Sequence, residues 1–464
     1  MANETNRGVQ ENPLGTAPLG KLLFSLAFPS IVANVVNALY NVVDQIFIGQ
    51  GVGYLGNAAT SVAFPLTTIC MAIGLMVGLG CASGFNLELG RGNPKTAQKL
   101  AGTSASTVLL AGCVICILVR IFLEPLLTAF GATEQILPYA KEYAGITSFG
   151  IPFLLFSTGI NPLVRADRSP KYSMFAIVTG AVLNTILDPI FIFVFDWKIA
   201  GAAWATVISQ VISALILILY FPRFKSVCFE ASDFIPRFEH IATICRLGFN
   251  SFVFQFSNLL VQITLNNTLR LYGASSPYGS DIPIAAAGIV MKINVIFIAL
   301  IIGLINGAQP ICSFNYGAQK YSRVRKTVSL FMRTSAIISI VLWLIFELFP
   351  RQLTSIFGSG DELYFDFAAR FMRIYLFFTF LNGMRICCAT FFPSIGNAAK
   401  GAIISFSYQI VLIIPLMLIL PRFFGLNGVL FSTPTADFIT FVLSMILLID
   451  ELRKMPKTDC PQKK

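Results

Sequence analysis

Two acidic residues fall inside apolar stretches, where a charge in hydrocarbon costs about 2.5 to 3.5 kcal/mol on insertion scales. Asp44 lies about 23 residues into the first such stretch and Asp188 about 17 residues into the fifth, which at 1.5 Å per helical residue puts both in the outer half of a bundle. Asn184 and Asp188 are spaced i,i+4, so a carboxamide and a carboxylate share one helix face. Pro189 follows directly. It has no amide hydrogen for the carbonyl of Thr185, so a kink and a freed carbonyl are expected beside the carboxylate. Thr206, in Gly201-Ala-Ala-Trp-Ala-Thr206, adds a hydroxyl near the same level, and the small residues before it permit close helix approach. All these groups offer oxygen, which suits a hard monovalent cation or a proton shared by two carboxylates. Two carboxylates in a low-dielectric pocket repel, so one is expected to hold a proton near neutral pH unless a cation is bound. The competing structural reading has Asp44 closing the outer end of its helix and Asp188 bonding a neighbour; two acids, an amide and a proline in one region weigh against it.

Such residues need a scaffold, and composition names its solvent. Of 464 residues, 56% are apolar and 12% charged, against roughly 25% charged in a globular protein. That apolar content furnishes roughly ten to twelve membrane helices of about 20 residues. The net charge of +11 does not indicate nucleic-acid binding, because no polar surface interleaves basic and base-stacking aromatic residues. Ten scattered cysteines show no zinc-type or secretory pairing; Cys113 and Cys116 form a CxxC inside an apolar helix pattern, and the cysteines read as packing residues. The single histidine, His240, excludes triads and multi-histidine metal sites, and no phosphate loop or nucleotide domain is present. An enzyme or an ATP-driven pump is therefore not expected. Residues 1–20 lack the build of a signal peptide, so the first stretch is expected to be a retained span.

Apolar runs between Gly, Pro and charge punctuation give twelve spans: 21–48, 56–84, 97–122, 138–163, 171–195, 200–222, 241–271, 284–314, 322–348, 364–392, 400–421 and 428–451. Basic residues fall on alternate connections, such as Arg91, Lys95 and Lys99, then Arg165, Arg168 and Lys171, then Lys320, Arg323, Arg325 and Lys326. This bias places both termini in the cytoplasm and the protein, multi-pass, in the cytoplasmic (inner) cell membrane. A repeat at an offset of 227 pairs Gly80 with Gly307, Gly90 with Gly317, Lys99 with Lys326, Phe130 with Phe357, Gly131 with Gly358, Glu134 with Asp361, Gly201 with Gly428 and Thr206 with Thr433. The expected fold is an all-α integral membrane protein of twelve helices in two pseudo-twofold-related six-helix bundles, rocking about a central cavity. The segments are a tail over 1–20, an N-lobe over 21–222, a linker over 223–240, a C-lobe over 241–451 and a tail over 452–464.

With Leu26-Ala-Phe-Pro29, Val43-Asp44-Gln45-Ile46-Phe47-Ile48-Gly49, Asn184-xxx-Asp188-Pro189, the Gly201 to Thr206 stretch and the doubled plan, the chain resembles the MATE (multidrug and toxic compound extrusion) family, and within it the MepA-like bacterial branch. The resemblance implies a monomeric antiporter, needing no ATPase subunit, that expels organic, mostly cationic amphipathic small molecules in exchange for Na⁺ or H⁺. It also implies an N-lobe cation site at Asp44, Asn184, Asp188 and Thr206, with the carbonyl of Ala202 as a further ligand. Either coupling ion suits this oxygen set, and no resident cofactor is expected.

Some relatives carry acids on spans 7 and 10; here Gln255, Asn258, Gln262 and Asn382 occupy those regions, which argues against a C-lobe ion site. Polar residues Asn34, Asn37 and Asn41 on span 1, with Tyr40, Phe256 and Phe297, are candidate walls of an apolar cavity. Lys292 and Arg385 are membrane-embedded cations; if they line the cavity, a flippase-like or metabolite exporter of an anionic, zwitterionic or lipid-like substrate is the alternative.

Overall fold

Inside lipid every backbone polar group must be satisfied within the protein, and this chain does so with helices. The computed structural model describes residues 12–132, 134–279, 281–355, 362–456 and 459. The tail through Glu11 and the repeat partners Phe357, Gly358 and Asp361 lie outside the described residues. In chain order the long helices are α1 (Leu19–Gly51), α2 (Tyr54–Gly90), α3 (Pro94–Ile121) and α4 (Leu137–Thr147, continuing through a tighter turn into Ile151–Ala166). Next come α5 (Pro170–Pro189, extended by Ile190–Val194), α6 (Lys198–Ile218), α7 (Phe238–Ala274) and α8 (Asp281–Gly317). The last four are α9 (Tyr321–Leu348), α10 (Glu362–Tyr375 and Thr379–Ser394), α11 (Ala398–Phe406 on through Phe424) and α12 (Leu426–Lys454).

Ten of these are long and apolar enough to cross a bilayer by themselves, and the two pieces of α10, bent by 48°, qualify together. The twelfth, α7, is diluted by Asn250, Ser251, Gln255, Ser257, Asn258 and Gln262. It still belongs to the bundle, because its Gly248 lies directly on α2. The fold is thus the all-α, twelve-helix membrane architecture in two related six-helix bundles, with one helix more polar than its neighbours.

The twofold relation is visible in backbone contacts. A Cβ on Gly90 would meet the Phe314 carbonyl oxygen at 2.2 Å, and one on Gly317 would meet that of Leu87 at 2.2 Å. Gly90 and Gly317, like Leu87 and Phe314, are 227 positions apart, so the pseudo-twofold axis runs through this α2–α8 contact. Nearby, Gly248 of α7 approaches Met76 of α2 and Gly303 and Gly307 of α8 approach Ile31 and Ala27 of α1, each closely enough to exclude any side chain. Gln309 adds hydrogen bonds across the halves to the Leu79 carbonyl (3.3 Å) and the Ser83 hydroxyl (2.7 Å). These crossings seal the bundle at the end that carries both Leu14 and Met455, held there by Arg323 and Arg325.

The linker is folded against the first half. Asp167, fully buried, accepts hydrogen bonds from the Tyr220 hydroxyl (2.7 Å) and the backbone amides of Lys225 (2.7 Å) and Ser226 (2.9 Å). Phe221, Phe224, Phe229 and Phe234 cluster beside it. Among the cysteines, Cys70, Cys81, Cys312, Cys387 and Cys388 pack in the interior; Cys113 and Cys228 are exposed and so depart from the packing role expected of them.

Candidate functional site

The first cluster forms where α1, α5 and α6 meet. Pro189 ends the α-helical winding of α5, and Ile190–Val194 continues as a wider, π-type turn. Neighbours with no side chain fit against that turn: a Cβ on Gly51 of α1 would collide with Ile192 at 2.1 Å, and one on Gly201 of α6 with Phe191 at 2.8 Å. The close fit brings the Asp44 carboxyl next to that of Asp188. Asp188 is fully buried and Asn184 nearly so. Asn184 Nδ2 donates to Asp188 Oδ1 (3.2 Å) and to the Thr206 hydroxyl (3.4 Å), and Tyr143 of α4 reaches Thr206 from the other side. Three oxygens remain buried with no hydrogen-bond partner: Asp44 Oδ1, Asp188 Oδ2 and Asn184 Oδ1. A buried unpartnered acceptor is costly, so three together fit a proton or a bare cation. Ala202 is fully buried in α6, within the packed start of that helix.

This cluster opens into a cavity of about 690 Å³ between the two halves. Asn34, Asn37, Tyr40 and Asn41 line it from α1, with Asp44, Asn184 and Thr206 on the same wall. On the opposite wall stand Gln255 and Arg385, together with Phe254, Asn306 and Gln309, which type and spacing do not single out. Other residues expected there are elsewhere. Phe256 points outward, 41% exposed, and stacks on Phe252. Asn258 accepts from Gln409 Nε2 of α11 (2.8 Å), a turn beyond the α7 residues that reach the cavity. Phe297 is fully buried in the core of the second half. Lys292 is exposed one turn beyond Val295, the outermost α8 residue at the wall, and Asn382 sits behind the surface as acceptor for Arg385 (2.6 Å).

Arg385 is 2% exposed. Its guanidinium lies 3.5 Å from the centre of the Tyr408 ring and its Nε 3.9 Å from Asp437 Oδ1. Asp437, also 2% exposed, is a third intramembrane acid, on α12 and outside spans 7 and 10, that adds to the two singled out from the sequence. Its signal is plain once sought: an acid eleven residues into span 12, three after Pro434. The positive charge of Arg385 is therefore balanced inside its own half, unlike the two acids of the first half, which face each other.

The chain matches the family model MatE twice, over residues 29–190 and 252–419. It is 25% identical over 434 residues to the multidrug export protein MepA of Staphylococcus saprophyticus, covering 92% of this chain and 93% of that one. MepA of Staphylococcus aureus (strain MRSA252) is 24% identical over 433 residues, covering 93% and 94%. Among solved structures, an outward-facing multidrug resistance MATE family transporter superposes with a TM-score of 0.89 at 23% identity, covering 96% of this chain and 98% of that one. A MOP superfamily transporter from Pyrococcus furiosus, described as having a binding pocket of reverse polarity, superposes with a TM-score of 0.88 at 22% identity, covering 96% and 98%.

Proposed function

Because the chain belongs to the MatE family of transporters, which are not enzymes, we propose that it is a secondary active multidrug efflux antiporter that exports amphipathic organic cations in exchange for Na⁺ or H⁺. The observation that carries this reading is the set of three unpartnered buried oxygens on Asp44 and Asn184, which line the cavity, and on Asp188, fully buried beside them. A cation or proton there relieves the repulsion between the carboxylates; without one, the same wall attracts an organic cation. The two occupants compete for one negative site, which is the condition for exchange. Thr206 and the Ala202 carbonyl complete the oxygen set in this proposal. The MepA relatives are named as multidrug export proteins, in keeping with a large, largely apolar cavity that makes few directional demands.

The connections rich in Lys and Arg lie at the sealed end, which we place in the cytoplasm with both termini. The cavity then faces outward. We assign residues 21–222 and 241–451 to the two lobes, with 223–240 as the linker, and take the chain to work as a monomer without an ATPase subunit. For the anionic or lipid-like alternative drawn from Lys292 and Arg385, Lys292 is off the cavity wall, whereas Arg385 reaches it with its Nε 3.9 Å from Asp437 Oδ1; we therefore place the cation reading first.

The test uses purified protein in proteoliposomes with an imposed Na⁺ or pH gradient and a fluorescent cationic dye. Wild type moves the dye under one gradient, which identifies the coupling ion, and Asp44→Asn and Asp188→Asn each abolish the movement in folded protein. Undiminished gradient-driven transport in either variant refutes coupling at this pair.

A further inference from the structure

The cavity does not stop at the acid pair. A branch runs down inside the first half between α4, α5 and α6 toward the sealed end. Its walls step one or two helical turns at a time through Thr206, Gln210 and Ser213 on α6 and through Ser157 and Asn161 on α4. Furthest along α4 in this branch is Arg165, a residue that by sequence belongs to a basic connection at the membrane surface. In the structure it is only 9% exposed.

Its guanidinium is buried without a counter-charge. The only hydrogen bond it makes among the described residues runs from Nη1 to the Asn161 carboxamide oxygen. That oxygen is fixed, since it also accepts from the Ser173 hydroxyl (2.7 Å), while Asn161 Nδ2 donates to the Ser173 carbonyl (3.1 Å). Arg165 forms no ion pair among the described residues. The nearest acid in sequence, Asp167, is turned to the linker and saturated by Tyr220, Lys225 and Ser226. Nε and Nη2 are thus left to the cavity. Above them, the Ser157 hydroxyl, the Ser209 hydroxyl and the Gln210 carbonyl oxygen are buried with no hydrogen-bond partner, so the branch is polar and unfilled by protein.

A buried cation that is neither paired nor fully hydrogen-bonded is expensive, and the fork formed by Nε and Nη2 matches the two oxygens of a carboxylate. We propose that Arg165, oriented by Asn161 and Ser173, is an anion-binding subsite at the floor of the first half that takes a carboxylate, with a halide as a weaker substitute. Along α5, the eleven residues from Ser173 to Asn184 separate the subsite from the acid pair by about 16 Å. The carboxylate has two sources: the acidic arm of a transported molecule whose cationic end lies near Asp44, or a free monovalent anion bound beside a purely cationic substrate. The first source rests on the efflux reading above; anion binding itself does not.

Purified full-length protein in detergent is titrated with sodium acetate and sodium chloride, with sodium isethionate holding ionic strength constant, and thermal unfolding and the ³⁵Cl NMR linewidth are followed. Wild type is expected to show a saturable rise in Tm, with acetate acting at lower concentration than chloride, and a broadened chloride signal that acetate sharpens. Arg165→Gln loses both effects; Arg165→Lys keeps the charge but not the fork, and needs about tenfold more acetate. Two dyes then separate the sources. If acetate displaces rhodamine 110, which has a free carboxylate, but not its methyl ester rhodamine 123, the substrate supplies the anion; if acetate strengthens binding of both, a free anion does. Equal responses of wild type to acetate and isethionate, or an Arg165→Gln protein that responds as wild type does, overturn the proposal. Should Arg165→Gln fail to fold, the wild-type anion series and Arg165→Lys still decide. No gradient or transport enters the anion titration, so its failure and a failure of antiport are separate results.

Discussion

Gly248→Ala adds one methyl group and is expected to change which end of the protein is open. At the α2–α7 crossing a Cβ on residue 248 would lie 1.7 Å from the Met76 carbonyl oxygen, and the reciprocal approach, Gly80 to the Ile244 carbonyl, is 2.0 Å. Ordinary carbon contacts are near 3.5 Å, so the helices must part by about 2 Å. Overpacking of this kind costs about 1 to 3 kcal/mol. The cost falls only on conformations in which α2 and α7 touch, which are those with the terminus end sealed. Converted to populations, it favours opening at that end by about 5- to 150-fold. The assay places a single cysteine at Thr390, on the cavity wall, in a cysteine-free background and measures labelling by a membrane-impermeant maleimide from the terminus side. Labelling should accelerate in Gly248→Ala. Gly288→Ala in α8 is the control, because a Cβ there meets nothing within 4 Å. If Gly248→Ala labels no faster than its parent, or if Gly288→Ala accelerates labelling equally, the sealed end is not set by this crossing.

Removing one partner of the buried Arg385–Asp437 pair with Arg385→Gln should destabilise the protein by about 3 to 5 kcal/mol, whereas Arg385→Met with Asp437→Leu should come close to neutral; thermal unfolding in detergent compares them. Asp167→Ala strands the Tyr220 hydroxyl and two backbone amides and should cost about 3 kcal/mol, with faster protease cleavage within 223–237 as a second readout. Pro189→Ala restores an amide donor and should let α5 continue as an α-helix, turning Asp188 away from Asp44; about tenfold weaker coupling-ion binding at unchanged Tm is expected, and unchanged binding would show that the π-type turn does not position the acid.

How far these features can be read from sequence depends on whether they are local. Helix positions are legible because apolar runs and basic connections repeat along the chain. The Asn184–Asp188 pair with Pro189 is legible because a four-residue spacing on a helix is itself geometry. The break in α10 is not: Leu376-Phe377-Phe378 contains no proline or glycine to mark it. Arg165 counts, in sequence, as one more surface charge of a basic connection; only Asn161, one turn earlier, hints that the side chain turns inward. Phe256 and Asn258 are polar or aromatic neighbours of true wall residues, and composition cannot tell which side of α7 meets the cavity.

The same limit explains why a repeat visible in sequence does not carry the same chemistry twice. Thr206 and Thr433 are 227 positions apart, and so are Gln210 and Asp437. The equivalent frames therefore hold an amide at the cavity wall in one half and an acid behind the wall in the other. In the second half, Arg385 lies over the Tyr408 ring with its Nε 3.9 Å from Asp437 Oδ1, so opposite charges stand side by side. In the first half the acids lie on α1 and α5 and face each other, with no cationic side chain in ion-pair range among the described residues. An exchanger requires one site whose occupancy is unsatisfied at rest. In the exchange proposed above, the twofold plan supplies two equivalent frames for rocking, and the facing acids assign the mobile cation to the first of them.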